Sequence, residues 1–197
     1  MKFIDPSAEL VDEINPEQIL SKLEMCGKVS RKSTLGDAEN FVRSIIKRGH
    51  ESVLEHVSLT FKIVCDRAIM AELTRHRLAS FTVESTRYVK YDELTVIKTP
   101  YKKIPAKLAY EYRIALEAAA IAYRKLTDAN IPPEIARDVL PQCTATTLYM
   151  TANLREWRHV LKLRTDKAAH PQMRFIMNQV LAVFKEKLPV IVEDIKQ

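Results

Sequence analysis

Glycine sets the tightest limit on this chain. Its 197 residues contain three glycines, Gly27, Gly36 and Gly49. No two are close enough to build a GxGxxG turn or a Walker loop. If the protein binds nucleotides, backbone amides of a glycine-rich loop do not cradle their phosphates. Side chains must do so, and fourteen arginines are available. The net charge of +6 points to an anionic partner, although a surplus of this size also serves solubility alone.

The arginines are densest where the chain reads Arg75-His76-Arg77-Leu78-Ala79-Ser80-Phe81-Thr82-Val83-Glu84-Ser85-Thr86-Arg87. Guanidinium groups are planar, permanently charged and able to grip phosphate through two bonds. Ser80 and Ser85 add hydroxyl donors in what reads as a loop. Glu72 and Glu84 are the nearby acids, too few to neutralise this many basic groups. The bland reading is a salt-bridged helix end followed by a polar turn.

Apolar residues make up 47% of the chain and charged residues 28%, ordinary values for a soluble globular domain, and the length suits one domain spanning 1–197. No run is long and apolar enough to cross a membrane. Met1 to Pro6 lacks the apolar core and cleavage site of a secretory signal, so a cytoplasmic protein is expected. Cys26, Cys65 and Cys143 are odd in number and widely spaced, against a disulfide framework or a structural zinc site. Cys143 has no evident activating partner and reads as buried.

Periodicity gives the organisation. A short extended segment is expected over 2–14, then a helix opened by Pro16 and running to about Met25. Asp37 caps a helix through Arg48 that Gly49 stops. Val57, Leu59, Phe61, Ile63 and Cys65 alternate with polar residues, which predicts a half-buried strand. Asp66 caps a helix leading into Arg75. A further strand is expected over 88–98, a long helix over 106–126, a short one ending at Val139, and helices over 153–163 and 171–188. The sum is a helix-rich α+β domain around a small, mostly antiparallel sheet.

Three other clusters could carry chemistry. His50, Glu51, Glu55 and His56 could be metal ligands or polar caps at a helix–strand junction, and they do not form HExxH. Arg137 is either a capping residue or an anion ligand. On a helix, Asn153, Trp157, Val160 and Arg164 share one face, while Arg155 and His159 share another.

The segment RHRLASFTVESTRY closely resembles the signature RHRxxSxxxxSxR of the flavin-dependent thymidylate synthases, with Arg75, His76, Arg77, Ser80, Ser85 and Arg87 at every fixed position. GHESVLEH is similar to the family's GHxxxxEH element, with His50, Ser52 and Glu55 in place. Ile135-Ala136-Arg137 with Leu140-Pro141, the stretch Asn153 to Arg164, and His170-Pro171-Gln172 resemble three further family segments in family order, so the likeness spans about residues 30–175.

The resemblance implies reductive methylation of dUMP to dTMP, with methylenetetrahydrofolate as carbon donor and NADPH as reductant through bound FAD. It implies a homotetramer with active sites shared between subunits, and no metal, nucleic-acid or membrane partner. Glu72, Arg75, Glu84, Ser85, Thr86, Arg87, Arg137 and Arg164 would hold dUMP. His50, Ser52, Glu55, Arg75, His76, Arg77, Val83, Asn153, Arg155 and His159 would hold FAD. Arg164 would be the catalytic group, a fixed cation stabilising charge that develops at N3 and O2 of uracil, with no cysteine nucleophile. Thr82 and Val83 stand where many members carry Asn and Glu, Glu72 where Gln is frequent, and His159 where Asn is common. The alternatives are a flavin- or nucleotide-binding homologue without synthase activity, and a basic nucleic-acid-binding protein.

Overall fold

The structure, a computed structural model, describes residues 1–98 and 104–195. Its centre is the alternating strand foreseen from Val57 onward. In β3 (Ser58–Asp66), Leu59, Phe61, Ile63 and Cys65 are buried while Ser58, Thr60, Lys62 and Val64 face outward to varying degrees. That strand pairs antiparallel along its whole length with β6 (Ala145–Asn153), from Ser58 opposite Asn153 to Asp66 opposite Ala145. β2 (Ser7–Leu10) adds to the outer side of β3, and β4 (Ser80–Val83) adds to the outer side of β6. The four-stranded sheet therefore runs β2-β3-β6-β4, all antiparallel.

A second, two-stranded sheet pairs β1 (Lys2–Ile4) with β5 (Thr95–Ile97) in parallel. The strand expected over 88–98 thus shortens to three residues, because Tyr88 and Val89 bond back to the Ser85 carbonyl in a turn. β6 went unforeseen. Its inward residues are Thr146, Leu148, Met150 and Ala152, a mixed set whose alternation shows only once β3 lies beside it. The supposed loop at Ser80 is β4, so Ser80 is a strand residue opposite Thr151.

The helices are α1 (Pro16–Lys28), α2 (Ala38–Lys47), α3 (Arg67–Leu73), α4 (Ala106–Asp128), α5 (Pro133–Ala136), α6 (Leu154–Arg164), α7 (Pro171–Lys187) and α8 (Pro189–Val192). Side-chain caps set several starts: Asn15, Asp37, Asp66 and Asn153 each accept the backbone N–H three residues on. Gly49, at φ +74°, turns the chain after α2 in a conformation that disfavours a Cβ. Gly27 has a different purpose. A Cβ there would lie 2.4 Å from Cζ of Phe41, so its bare face lets α1 and α2 meet.

The main core lies between the four-stranded sheet and helices α1, α2, α6, α7 and α8. Phe61, Trp157 and Phe184 form its aromatic centre, with Phe61 and Trp157 edge to face at 5.0 Å. Trp157 is fully buried and donates Nε1–H to the Leu59 carbonyl at 2.9 Å, so its one polar atom is satisfied. A smaller cluster under α4 includes Leu94, Val96 and Leu116, with Cys143 packed against it. Cys143 is half-buried, and the fully buried thiol is that of Cys65. Among the described residues, no helix is long and apolar enough to cross a membrane.

Candidate active site

β3 and β6 run side by side, and each hands the chain to a helix at the end of its own run. β3 ends at Asp66, whose carboxylate accepts the Ile69 N–H at 2.8 Å and starts α3. β6 ends at Asn153, whose side chain accepts the Glu156 N–H at 2.9 Å and starts α6. Eleven residues carry α6 roughly 16 Å, which brings Arg164 to the C-terminal end of α3. There the chain turns through Arg75 and His76, with the His76 N–H on the Leu73 carbonyl and the Ala79 N–H on the His76 carbonyl. The arginine-rich segment is therefore a helix end, a tight turn and an edge strand.

The pairing is close. Arg164 donates from Nε to His76 Nε2 at 3.0 Å, from Nη1 to the Glu72 carboxylate at 3.3 Å, and from Nη2 to the Glu72 carbonyl at 3.4 Å. Since Nε2 accepts, the neutral imidazole carries its proton on Nδ1, which faces the Glu156 carboxylate at 3.5 Å. Burial, then the Arg164 and His159 charges, lower the His76 pKa from 6.5 to about 4. Burial raises that of Glu156. The His76–Glu156 contact is thus a neutral ring beside a carboxylate rather than an ion pair near pH 7. His159 meets His76 edge to face, 6.0 Å between ring centres.

Ligand atoms of His76, Glu156 and His159 lie within 4.8 Å of one another, whereas His50, Glu51, Glu55 and His56 form no such group among the described residues. The Arg164 guanidinium bonded to His76 opposes a divalent cation there. Glu156, Asn153, Arg155 and His159 instead line a cavity of about 530 Å³ with Glu51, Glu55, Leu78 and Lys162. Glu55 also lines a neighbouring cavity of about 850 Å³ that includes His50, Ser52, Lys28 and Arg48. The expected FAD ligands at His50, Ser52, Glu55, Asn153, Arg155 and His159 therefore border two adjoining hollows.

These hollows share a wall that is firmly held. The six-residue 3-10 turn Glu51–His56 is tied to α6 by Arg155 to Glu55 at 2.6 Å and by Arg158 to Glu51 at 3.0 Å. Arg158 is 1% exposed and also bonds the Ile191 carbonyl in α8 and the Asp194 carboxylate just after it. Arg158 and Lys162 hold Asp194 down to a pKa of about 2. Sequence reading assigns Arg158 and Glu156 no role and takes Glu51 as a metal ligand or cap rather than as the partner of Arg158, since these partners lie far apart along the chain.

The other expected dUMP residues gather elsewhere. Thr86 and Arg137 line a cavity of about 230 Å³ that shares no lining residue with the other two hollows. Arg87 pairs with Glu134 at 3.0 Å, and Arg137 donates to the Glu134 carbonyl at 3.1 Å, so both arginines stand together beside α5. Ser85 Oγ accepts the Arg87 N–H at 3.3 Å, and Glu84 accepts the Tyr91 hydroxyl at 2.5 Å. Val83 packs on the core, while Arg75 and Arg77 are exposed and hold no ion pair among the described residues. Within one chain, Arg164 with Glu72 and Arg137 with Arg87 are thus separate groups.

The sequence profile of the thymidylate synthase complementing protein family matches residues 9–190. A flavin-dependent thymidylate synthase of Geobacter sulfurreducens is 35% identical over 170 residues, covering 85% of this chain and 73% of that protein. A probable flavin-dependent thymidylate synthase of Mycobacterium phage D29 is 36% identical over 169 residues, covering 79% and 72%. Among solved structures, the UMP/dUMP methylase PolB from Streptomyces cacaoi bound with 5-Br dUMP superposes with a TM-score of 0.82 at 26% identity, over 98% of this chain and 96% of that one.

Proposed function

The chain belongs to the flavin-dependent thymidylate synthase family, an enzyme family, and from that premise we propose that it methylates the uracil ring of dUMP to give dTMP. The observation that carries this reading is the grip of His76 and Glu72 on Arg164, which fixes a guanidinium at the junction of the signature segment and α6. A cation already oriented there stabilises negative charge appearing on a bound pyrimidine without reorganising in the transition state. Lysine would lack the planar fork that these three bonds use.

The two hollows beside the 3-10 turn suit FAD by their donor set. They combine Asn153, Arg155, His159, Lys28, Arg48, His50 and Ser52, and a dinucleotide needs cations and donors for its pyrophosphate. When bound, FAD would pass reducing equivalents from NADPH to the carbon delivered by methylenetetrahydrofolate. The protein's own residues bind and orient. Arg155 and Asn153 hold the cofactor side, while Arg87, Arg137, Ser85 and Thr86 hold the phosphate of dUMP.

Arg164 and Arg137 belong to separate groups in one chain. A homotetramer would unite Arg164 of one subunit with Arg87 and Arg137 of another, and would cover exposed apolar side chains such as Leu78 and Tyr88. On this reading the enzyme works in the cytoplasm, where dUMP, folate and NADPH are supplied.

A second reading concerns the sugar. This chain superposes over 98% of its length on a protein described as a UMP/dUMP methylase, so UMP belongs among the substrates tried. The test is to load purified protein with FAD, then add NADPH, methylenetetrahydrofolate and either dUMP or UMP. Methylated product from dUMP is the expected result. A protein that takes up no FAD, or whose bound flavin is reduced without forming any methylated nucleotide, overturns the proposal.

A further inference from the structure

Arg67 lies outside the signature, and sequence reading gave it no role. It follows Asp66 at the start of α3, and its backbone N–H is fixed on the Gln142 carbonyl at 3.1 Å. Its guanidinium Nη1 is buried and has no hydrogen-bond partner among the described residues. A charged donor buried without an acceptor is costly, and in a native fold it calls for a specific reason, of which a bound anion is one.

The carboxylates around it are engaged elsewhere. One oxygen of Asp66 accepts the Ile69 N–H at 2.8 Å, and the other accepts Nε2 of Gln172 at 2.6 Å. Gln172 is fully buried and also accepts the Asp66 N–H at 3.0 Å, so this reciprocal lock keeps the aspartate from turning toward its neighbour. Glu84 accepts the Tyr91 hydroxyl. Among the described residues, Asp138 remains as the one carboxylate on the wall of the cavity that Arg67 lines.

That cavity, about 230 Å³, also presents Arg137 and Thr86. Two guanidinium groups and a hydroxyl around a space of this size suit a tetrahedral oxyanion and leave no room for a whole nucleotide. Arg137 comes from beside α5 and Thr86 from the end of the signature segment, so Arg67 supplies a third direction of approach, from the β3–α3 junction.

We propose that Arg67 is a phosphate-binding residue of the nucleotide site, donating from Nη1 to the 5′-phosphate of the substrate alongside Arg137 and Thr86. The inference rests on the dUMP reading above for the identity of the ligand, and on Arg67 and its cavity for the oxyanion. A phosphate monoester fills the role left open by Asp66, and the free nucleoside does not.

The experiment uses FAD-loaded protein, wild type, R67Q and R67K, with circular dichroism to establish folding. Calorimetry measures binding of dUMP, 2′-deoxyuridine and inorganic phosphate. The expected result is a 10- to 100-fold weaker Kd for dUMP in R67Q, about the worth of one charge-assisted hydrogen bond. Deoxyuridine affinity should be unchanged, inorganic phosphate binding lost, and dUMP affinity partly restored in R67K. Should R67Q not fold, R67K alone decides, with a several-fold loss confined to phosphate-bearing ligands. Equal losses for dUMP and deoxyuridine, or no loss for dUMP and phosphate, overturn the assignment. If wild type binds inorganic phosphate through Arg67 but not dUMP, the oxyanion site stands and the nucleotide reading falls.

Discussion

Arg164 donates its Nε–H to Nε2 of His76 at 3.0 Å, which joins the last residue of α6 to the turn that opens the signature segment. Each group sets the state of the other. Burial and then the guanidinium keep the imidazole neutral, and the imidazole with Glu72 keeps the guanidinium in one orientation. Arg164→Ala should therefore leave flavin bound and the fold intact while lowering kcat by about 10²–10³-fold, the usual cost of losing one oriented charge stabiliser. Arg164→Lys should recover little. Steady-state rates beside the flavin absorption spectrum check this, and normal turnover in either variant refutes the role.

His76 also makes stability depend on pH. Its folded pKa of about 4 lies below the ordinary 6.5, so between those values the unfolded chain binds a proton that the folded chain refuses. Stability must then fall as pH drops from 6.5 toward 4, by roughly 2–3 kcal/mol at most. Glu156 acts in the opposite sense, because its raised pKa makes the folded state hold a proton longer as pH rises above 4.5. Urea unfolding at pH 7, 5.5 and 4.5 should show a flatter profile for His76→Gln than for wild type. An unchanged slope would discard the assignment.

Arg158 holds the wall between the two larger hollows. It is buried, and it bonds Glu51, Asp194 and the Ile191 carbonyl. Arg158→Ala should cost about 3–5 kcal/mol of stability, the range for breaking a buried ion pair. Glu51→Gln should cost less in stability but should weaken flavin binding, because Glu51 anchors the turn bearing Ser52 and Glu55. Thermal melts and flavin titration separate the two effects.

Asn153 has two uses that substitution can divide. Its side-chain oxygen caps α6, and its amide nitrogen remains available to the adjoining cavity. Asn153→Ala should lower stability by about 1 kcal/mol. Asn153→Asp keeps the capping oxygen, so the melting temperature should hold while flavin affinity falls. Equal affinity in the aspartate variant would leave Asn153 as a cap alone.

Thr82 and Val83 differ from the residues frequent in the family, and β4 shows what each position tolerates. Thr82 points to solvent, so Thr82→Asn should change stability by less than about 0.5 kcal/mol. Val83 packs on the core, and Val83→Glu should cost about 1–3 kcal/mol by burying a polar group. Denaturant midpoints of the two variants check the contrast.

Local chemistry was legible in the sequence. Asp37 and Asp66 announced helix starts, the alternation after Val57 announced β3, and the RHR segment announced an anion site that the glycine shortage forbade the backbone to make. These signals act over a few residues, where hydrogen bonding and the strand and helix periods are fixed by the local chain. Strand partners were not legible. Pairing of β6 with β3, the parallel join of β1 to β5, and the turning of Ser80 into an edge strand depend on residues far apart in sequence.

The same divide runs through the site. Residue type singled out the His76 segment as an anion site and left Arg137 open between a cap and an anion ligand, and the resemblance carried by the motifs nominated Arg164. Only the tertiary structure decided that Arg164 bonds His76, that Arg158 braces the turn at Glu51, and that Arg67 is left with a buried, unanswered donor. A side chain's charge is written in its identity. Its pKa, partner and solvent exposure are set by whichever distant elements the packed core brings beside it.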